Sequence, residues 1–174
     1  MPSLRARMLS PVLRRLLKPR LSGEASLATQ RAAVLNWAKL GRMPWGVSVE
    51  RRTLGGRPAE RFALRDGEIS EAPVLLLHGG GYCWGGLASH REFAARTARA
   101  ARRPVWVVDY RLAPEAPYPA ALDDCTSALV WMRDHADELG VRSDQLIVIG
   151  ESAGGGPCAF RLFDRAYRDR EGVV

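Results

Sequence analysis

Gln145-Leu-Ile-Val-Ile-Gly-Glu-Ser-Ala-Gly-Gly-Gly156 is the stretch whose reading decides the fold. Leu146 to Ile149 are four consecutive branched aliphatics, the pattern of a strand buried on both faces. They run into Gly150-Glu151-Ser152-Ala153-Gly154, a G-x-S-x-G pattern, and a helix-length segment follows from Ala153. A serine between glycines on a sharp strand-to-helix turn is pushed out of the sheet with its Oγ exposed. A Cβ at either flanking position would crowd that turn. A helix starting just beyond the serine aims N–H groups and a positive dipole end at whatever the serine attacks. The competing reading is a glycine-rich turn with an incidental serine, and a second motif weighs against it.

That motif is His78-Gly79-Gly80-Gly81-Tyr82, directly after the apolar strand Val74–Leu77. Three glycines let backbone approach a ligand and turn its N–H groups toward it. Neither turn spells G-x-G-x-x-G, and no G-x-x-x-x-G-K-[ST] occurs, so phosphate binding competes weakly. A G-x-S-x-G serine together with an HGGG-type loop after an earlier strand is the combination that makes an oxyanion hole.

From residue 73 the pattern alternates strand and helix. Ser89–Ala101 reads as a helix and Pro104–Val108 as a strand. Ala120–Gly140 reads as one long helix with Leu122, Cys125, Leu129, Met132, Ala136 and Leu139 on a buried stripe. The class is therefore α/β, with a mostly parallel sheet, right-handed crossovers and helices on both faces. Ligands then bind at the carboxyl ends of the strands, where both glycine-rich turns fall. Upstream, Val47–Leu54 and Pro58–Leu64 flank Gly55-Gly56 as an antiparallel hairpin. Ser26–Leu40 reads as a helix with an apolar stripe, which places a helical amino-terminal segment over 1–45 and the α/β core over 46–174.

These pieces resemble the hormone-sensitive-lipase-like (GDXG-type) branch of the α/β-hydrolases. The matching residues are Leu75-Leu-Leu-His-Gly-Gly-Gly-Tyr82 with Ser89-His90, Asp109-Tyr-Arg-Leu-Ala-Pro-Glu115 with Pro117 and Pro119, and Gly150-Glu-Ser-Ala-Gly-Gly155. They follow the family's order over about residues 70–160. The resemblance implies a carboxylic-ester hydrolase of the esterase or lipase type, acting on a small ester without cofactor or metal. It implies Ser152 as nucleophile, the N–H groups of Gly80, Gly81 and Ala153 as oxyanion donors, and Gly79 as a further contributor. His78 and Glu151 would support the site, with His78 fixing the loop rather than acting as base. The amino-terminal helices would form part of a cap over the acyl pocket. Ile149 and Glu151 depart mildly from the small residue and aspartate common there, and Pro157 replaces an aliphatic residue early in the helix.

The triad order implied by the resemblance is serine, acid, histidine. The 22 residues after Ser152 contain no histidine, and Asp164, Asp169 and Glu171 lie too near the serine to come from later strand ends. The expectation is a carboxyl-terminally truncated fold lacking its later strands, inactive alone: a fragment, or a chain completed by another polypeptide. The strand Leu146–Ile149 would then present an unpaired apolar edge, a place for aggregation or oligomer formation. A non-catalytic binding or regulatory remnant is the alternative. Among other polar residues, Arg111 and Glu115 are expected to pair with each other or with backbone. Asp123 and Asp124 are expected to complement a helix dipole, and His90 and His135 to lie on the surface or pack.

Composition sets the outer limits. With 47% hydrophobic and 26% charged residues, 174 residues make one domain with a real core. The charge is uneven: residues 1–65 hold 14 Lys/Arg against 3 Asp/Glu (net +11), and 66–174 hold 12 against 16 (net −4). The basic segment has no interleaved aromatics and no nucleic-acid motif, which argues against nucleic acid. Arg5, Arg7, Arg14, Arg15, Lys18 and Arg20 surround Leu4, Met8, Leu9, Val12, Leu13, Leu16 and Leu17, an amphipathic pattern interrupted by Pro11. A helix covering the protein's own surface is the first reading of it and a membrane-surface helix the second. Cys83, Cys125 and Cys158 show no C-x-x-C spacing, and with no secretion signal evident the chain reads as cytoplasmic with reduced thiols.

Overall fold

The computed structural model describes residues 10, 11, 14, 15, 18–67, 72–139 and 142–155. Most of the amphipathic amino-terminal run, Gly140, and everything from Gly156 on lie outside the described residues. That includes Pro157, Cys158 and the three late acids Asp164, Asp169 and Glu171.

Among the described residues five strands form one sheet in the order β1-β2-β4-β3-β5: β1 (Val47–Leu54), β2 (Arg57–Leu64), β3 (Val74–Leu77), β4 (Val105–Val108) and β5 (Ile147–Gly150). β1 and β2 form the expected hairpin, with Leu54 opposite Arg57, so β2 starts one residue before Pro58. Gly55 and Gly56 both have positive φ (54° and 82°), as a two-residue turn matched to strand twist requires. β2 runs antiparallel to β4, while β4, β3 and β5 are mutually parallel, with Val74 opposite both Val105 and Ile147.

Residue alternation divides the core between two helices. Leu75, Leu77, Trp106 and Val108 face Cys125, Ala128, Leu129 and Met132 of α3 (Ala120–Asp134). Val74, Leu76, Val105 and Val107 face Ala94, Ala95 and Ala98 of α2 (Leu87–Ala101). β3 and β4 are thus buried on both faces, and their sequences are uninterruptedly apolar for that reason. α1 (Leu27–Ala38) packs on α2, capped by Ser26 Oγ, which accepts from the Thr29 amide at 3.2 Å.

Several elements differ from expectation. β5 is not buried on both faces: Ile147 is 39% exposed, because β5 is the outermost described strand and only β3 pairs with it among the described residues. α2 begins at Leu87 rather than Ser89, whose hydroxyl donates back to the Gly86 carbonyl at 2.9 Å inside the first turn. α3 ends at Asp134 and a short helix, α4 (Ala136–Leu139), follows. At the break His135 takes φ −114° and ψ 26°, and its ring Nδ1 shares the Trp131 carbonyl with its own amide. The apolar stripe of α1 is largely outward: Ala33 is its only buried described residue, while Leu35 and Trp37 are exposed.

Two ion pairs also replace expected ones. Arg111 does not pair with Glu115. It grips Asp124 with Nε and a terminal nitrogen (2.8–3.1 Å), and its amide bonds Asp124 Oδ2 at 2.8 Å. Asp124 is 5% exposed, facing into the fold rather than serving a helix dipole. Burial pushes its pKa up, but the hydrogen bonds from Arg111 and the charge of Arg57 outweigh this and hold it low. Glu115 instead pairs with Arg31 of α1.

The packing divides core from cover. Leu76→Ala, at a fully buried site on a central strand, is expected to cost about 2–5 kcal/mol. Leu35→Ala, at a residue 44% exposed, is expected to cost no more than about 0.5 kcal/mol. Urea unfolding of the two variants measures both; equal losses would contradict the assignment of α1 to the periphery.

Candidate active site

β5 carries the candidate nucleophile to the end of the sheet. The Glu151 amide extends the ladder to the Leu77 carbonyl (3.1 Å), and the chain then turns through a single 3-10 turn, Ser152–Gly154. Ser152 is exposed and has φ +51°, a left-handed conformation that costs a non-glycine residue about 1–2 kcal/mol. The turn is held against the end of β3. A Cβ at Gly154 would sit 2.2 Å from the Leu77 carbonyl oxygen and 2.8 Å from that of His78. Both obstacles are backbone, so only glycine fits there.

The glycine turn after β3 has a specific geometric property. The His78 carbonyl accepts from the Tyr110 hydroxyl at 2.6 Å, and the Gly79 carbonyl accepts from His78 Nδ1 at 2.8 Å. The Gly80 carbonyl accepts from the Cys83 and Trp84 amides, both at 3.0 Å. Across the cleft, the Ser152 carbonyl accepts from the Gly155 amide at 3.0 Å. In a trans peptide the C=O and the following N–H point in opposite directions. Each fixed carbonyl therefore aims the next residue's N–H the other way, for Gly79, Gly80, Gly81 and Ala153. Among the described residues none of these four amides has an acceptor.

The two turns meet. Tyr82 Oη donates to the Ala153 carbonyl at 2.5 Å, and a Cβ on Gly79 would lie 1.9 Å from Glu151 Oε2. Ser152, Ala153, Glu151 and Gly79–Gly81 are thus brought together at the carboxyl ends of β3 and β5, and His78 lies directly beneath.

His78 is fully buried, stacked on Tyr110 (ring centroids 4.0 Å apart, 8° between planes), with the His90 ring 5.1 Å away. A carbonyl can only accept, so the proton resides on Nδ1. Burial pulls the pKa down to about 4, against the hydrogen bond to Gly79 and with the help of repulsion from His90. His78 is therefore neutral near pH 7 and holds the loop. His90 bonds Ser89 Oγ through Nδ1 at 2.9 Å, and its Nε2 lies 3.5 Å from Glu151 Oε2. It stands beside the elbow, nearer than its place at the start of a helix indicated. His135 stacks on Trp131. No hydrogen bond joins any of the three histidines to Ser152 among the described residues.

Beside the elbow a cavity of about 510 Å³ lies between α1 and α2, lined by Leu21, Val34, Trp37, Trp84, Phe93 and Glu151 among others. Among the described residues no three His, Cys, Asp or Glu side chains cluster as metal ligands. No described helix is long and apolar enough to cross a membrane. The sequence reading missed Tyr82, Tyr110 and Arg31, whose partners lie 71, 32 and 52–84 residues away.

The buried imidazole sets a pH dependence. In the unfolded chain His78 protonates near 6.5, and in the folded chain only near 4, so the unfolded state binds more protons between those values. Stability is then fully present above pH 6.5 and falls as pH drops toward 4, by about 3 kcal/mol over that window. His78→Asn keeps a donor for the Gly79 carbonyl without titrating, and should flatten this slope. Urea midpoints at about pH 7.5 and 4.5 test it; matching slopes in both proteins would refute the assignment.

Comparison with known proteins agrees with the fold. The family described as alpha/beta hydrolase fold matches residues 74–165. The carboxylesterase NlhH of Mycobacterium tuberculosis (strain ATCC 25618 / H37Rv) is 49% identical over 82 residues, covering 47% of this chain and 26% of that protein. Hormone-sensitive lipase of Mus musculus is 39% identical over 89 residues, 51% of this chain and 12% of that protein. The crystal structure of a hormone-sensitive lipase from a metagenome library superposes with a TM-score of 0.80 at 31% identity, covering 97% of this chain and 53% of that one. The chain thus spans about half the length of that solved structure and about a quarter or less of the two curated relatives. A sheet flanked by helices, a serine elbow abutting a glycine turn, and these likenesses agree: the chain belongs to the hormone-sensitive-lipase-like branch of the α/β-hydrolase family.

Proposed function

We propose that this chain carries the nucleophile and oxyanion half of a carboxylic-ester hydrolase site. Ser152 Oγ adds to the ester carbonyl carbon as its proton passes to a base. The carbonyl oxygen becomes an oxyanion facing the amides of Gly80, Gly81 and Ala153, with Gly79 alongside. Collapse expels the alcohol, which takes a proton, and leaves an acyl-serine. Water then adds to that acyl carbon and releases the carboxylic acid. Preorganised donors of this kind are worth about 2.7–4 kcal/mol each. The observation that carries the reading is the set of four fixed N–H groups, without an acceptor among the described residues, next to an exposed serine with positive φ. The cavity walled by Trp37, Trp84 and Phe93 would take the apolar part of the ester, with α1 as part of a cap. The reading takes the chain as cytoplasmic, from its cysteine usage.

Serine needs an adjacent base to attack near neutral pH. Among the described residues no histidine bonds Ser152, so these residues alone turn an ester over slowly. The same observation favours the second reading, a binding remnant that keeps the pocket without turnover.

A fluorophosphonate followed by peptide mass mapping separates the two readings. We expect slow phosphonylation at Ser152, abolished in Ser152→Ala and accelerated about tenfold or more by added imidazole, which supplies a base that the described residues do not place on Ser152. A label that spreads over other residues, or never reaches Ser152, would leave the remnant reading standing.

A further inference from the structure

We propose that Arg31 is a positioning residue for the Gly80–Gly81 amides, through which the docking of α1 sets the geometry of the glycine turn. One guanidinium on α1 joins three segments. Its Nε donates to the Cys83 carbonyl at 2.7 Å. Its two terminal nitrogens reach the Ala113 carbonyl (2.9 Å) and both oxygens of Glu115 (2.6 and 2.8 Å). All four bonds radiate from one planar group, a fork that lysine cannot reproduce.

The two carbonyl contacts lead into the turn. The Cys83 amide is one of the two donors that fix the Gly80 carbonyl, and so aim the Gly81 N–H. Holding the Cys83 carbonyl fixes the peptide on the other side of that residue. The Ala113 amide donates to the Tyr82 carbonyl at 2.8 Å, so a grip on Ala113 braces the turn from a second direction. Tyr82 in turn bonds the Ala153 carbonyl at the elbow. Tyr82 has φ +59°, a strained conformation for a tyrosine that its surroundings must impose. Arg31 is the bond between α1 and these surroundings, and it is the residue that couples the amino-terminal helix to the site rather than leaving it a passive cover.

The catalytic meaning of this proposal rests on the nucleophile reading of Ser152, but its geometry does not. Hydrogen exchange tests the geometry alone. In Arg31→Ala, the amides of Cys83 and Trp84, which bond the Gly80 carbonyl, should exchange about tenfold faster or more, while those of β3 and β4 hold their protection. Unchanged exchange at Cys83 and Trp84, or a uniform rise across the sheet, overturns the proposal even if Ser152 proves unreactive.

Fluorophosphonate kinetics add the functional arm. The maximal labelling rate should fall about tenfold in Arg31→Ala while the half-saturating probe concentration changes less than about threefold, because donors are misaimed and the pocket is kept. Glu115→Gln, at a residue with a 63% exposed side chain, keeps both carbonyl contacts and should stay within about twofold of wild type in both measurements. Arg31→Lys should recover only part of the loss. If Lys restores everything, or if Glu115→Gln matches Arg31→Ala, the ion pair and not the carbonyl clamp is what matters, and the proposal fails. Should Arg31→Ala not fold, the Arg31→Lys and Glu115→Gln pair decides by the same criteria.

Discussion

Peptide planarity is the constraint on which this site is built. A backbone N–H has no rotor of its own, so the only way to aim it is to fix the carbonyl of the same peptide. The chain does this four times with four different donors: a tyrosine hydroxyl, an imidazole, a pair of amides and a single amide. The cost is that N–H groups are left without partners among the described residues, two of them at buried glycines, Gly79 and Gly80. An unpaired buried donor costs about 1–3 kcal/mol. A fold with only a small margin of stability keeps such groups when something negatively charged or strongly accepting occupies the space they face.

His78 shows how the core supports that arrangement. An imidazole with one nitrogen committed to Gly79 leaves the other, Nε2, buried and without a partner among the described residues. The ring lies flat on Tyr110, whose hydroxyl reaches past it to the His78 carbonyl. Tyr110 therefore fixes His78 twice, by its face and by its tip. Protonating the ring would place a charge in that stack beside His90, and burial opposes this strongly enough to keep the ring neutral and its donor on Nδ1. The low pKa and the aim of the Gly80 amide share one cause.

What the sequence made legible was local. Gly79–Gly81 and Gly150–Gly154 announce turns because glycine is the residue that such turns and close approaches require. Val74–Leu77 and Val105–Val108 announce central strands because both their faces are covered. The same logic misjudged β5, since an apolar run signals two covered faces and cannot tell which strands are at hand to flank it. Interactions between distant segments were not legible. Tyr82 and Tyr110 read as members of motifs, but their hydroxyl partners lie 71 and 32 residues away. Arg111 and Glu115 stand four apart and look like partners. Each is taken instead by a group brought in by tertiary packing, Asp124 and Arg31. His90 was placed by its helix position, while its neighbourhood is decided by where β5 delivers Glu151.

The charge division of the chain finds part of its explanation in the same long-range contacts. A basic amino-terminal third beside an acidic remainder looks, from composition, like a surface prepared for a polyanion. Within the described residues, several of those cations are turned inward. Arg31 reaches Glu115, and Arg57 spans from the Asp109 carbonyl (2.9 and 3.1 Å) to Asp124 (3.3 Å). One of the three acids of that third, Glu60, is buried and held by Arg91 from α2, with Nε at 2.8 Å. An ion pair to an exposed carboxylate such as Glu115 adds little to stability, so the contribution of Arg31 here is registry. Arg57 is carried by the hairpin and Arg31 by α1, and each meets an acceptor at the carboxyl end of β4 or in the loop beyond it. Because that loop braces Tyr82, and Tyr82 touches the serine elbow, the basic residues locate the amino-terminal segment against the part of the sheet where the amides are aimed.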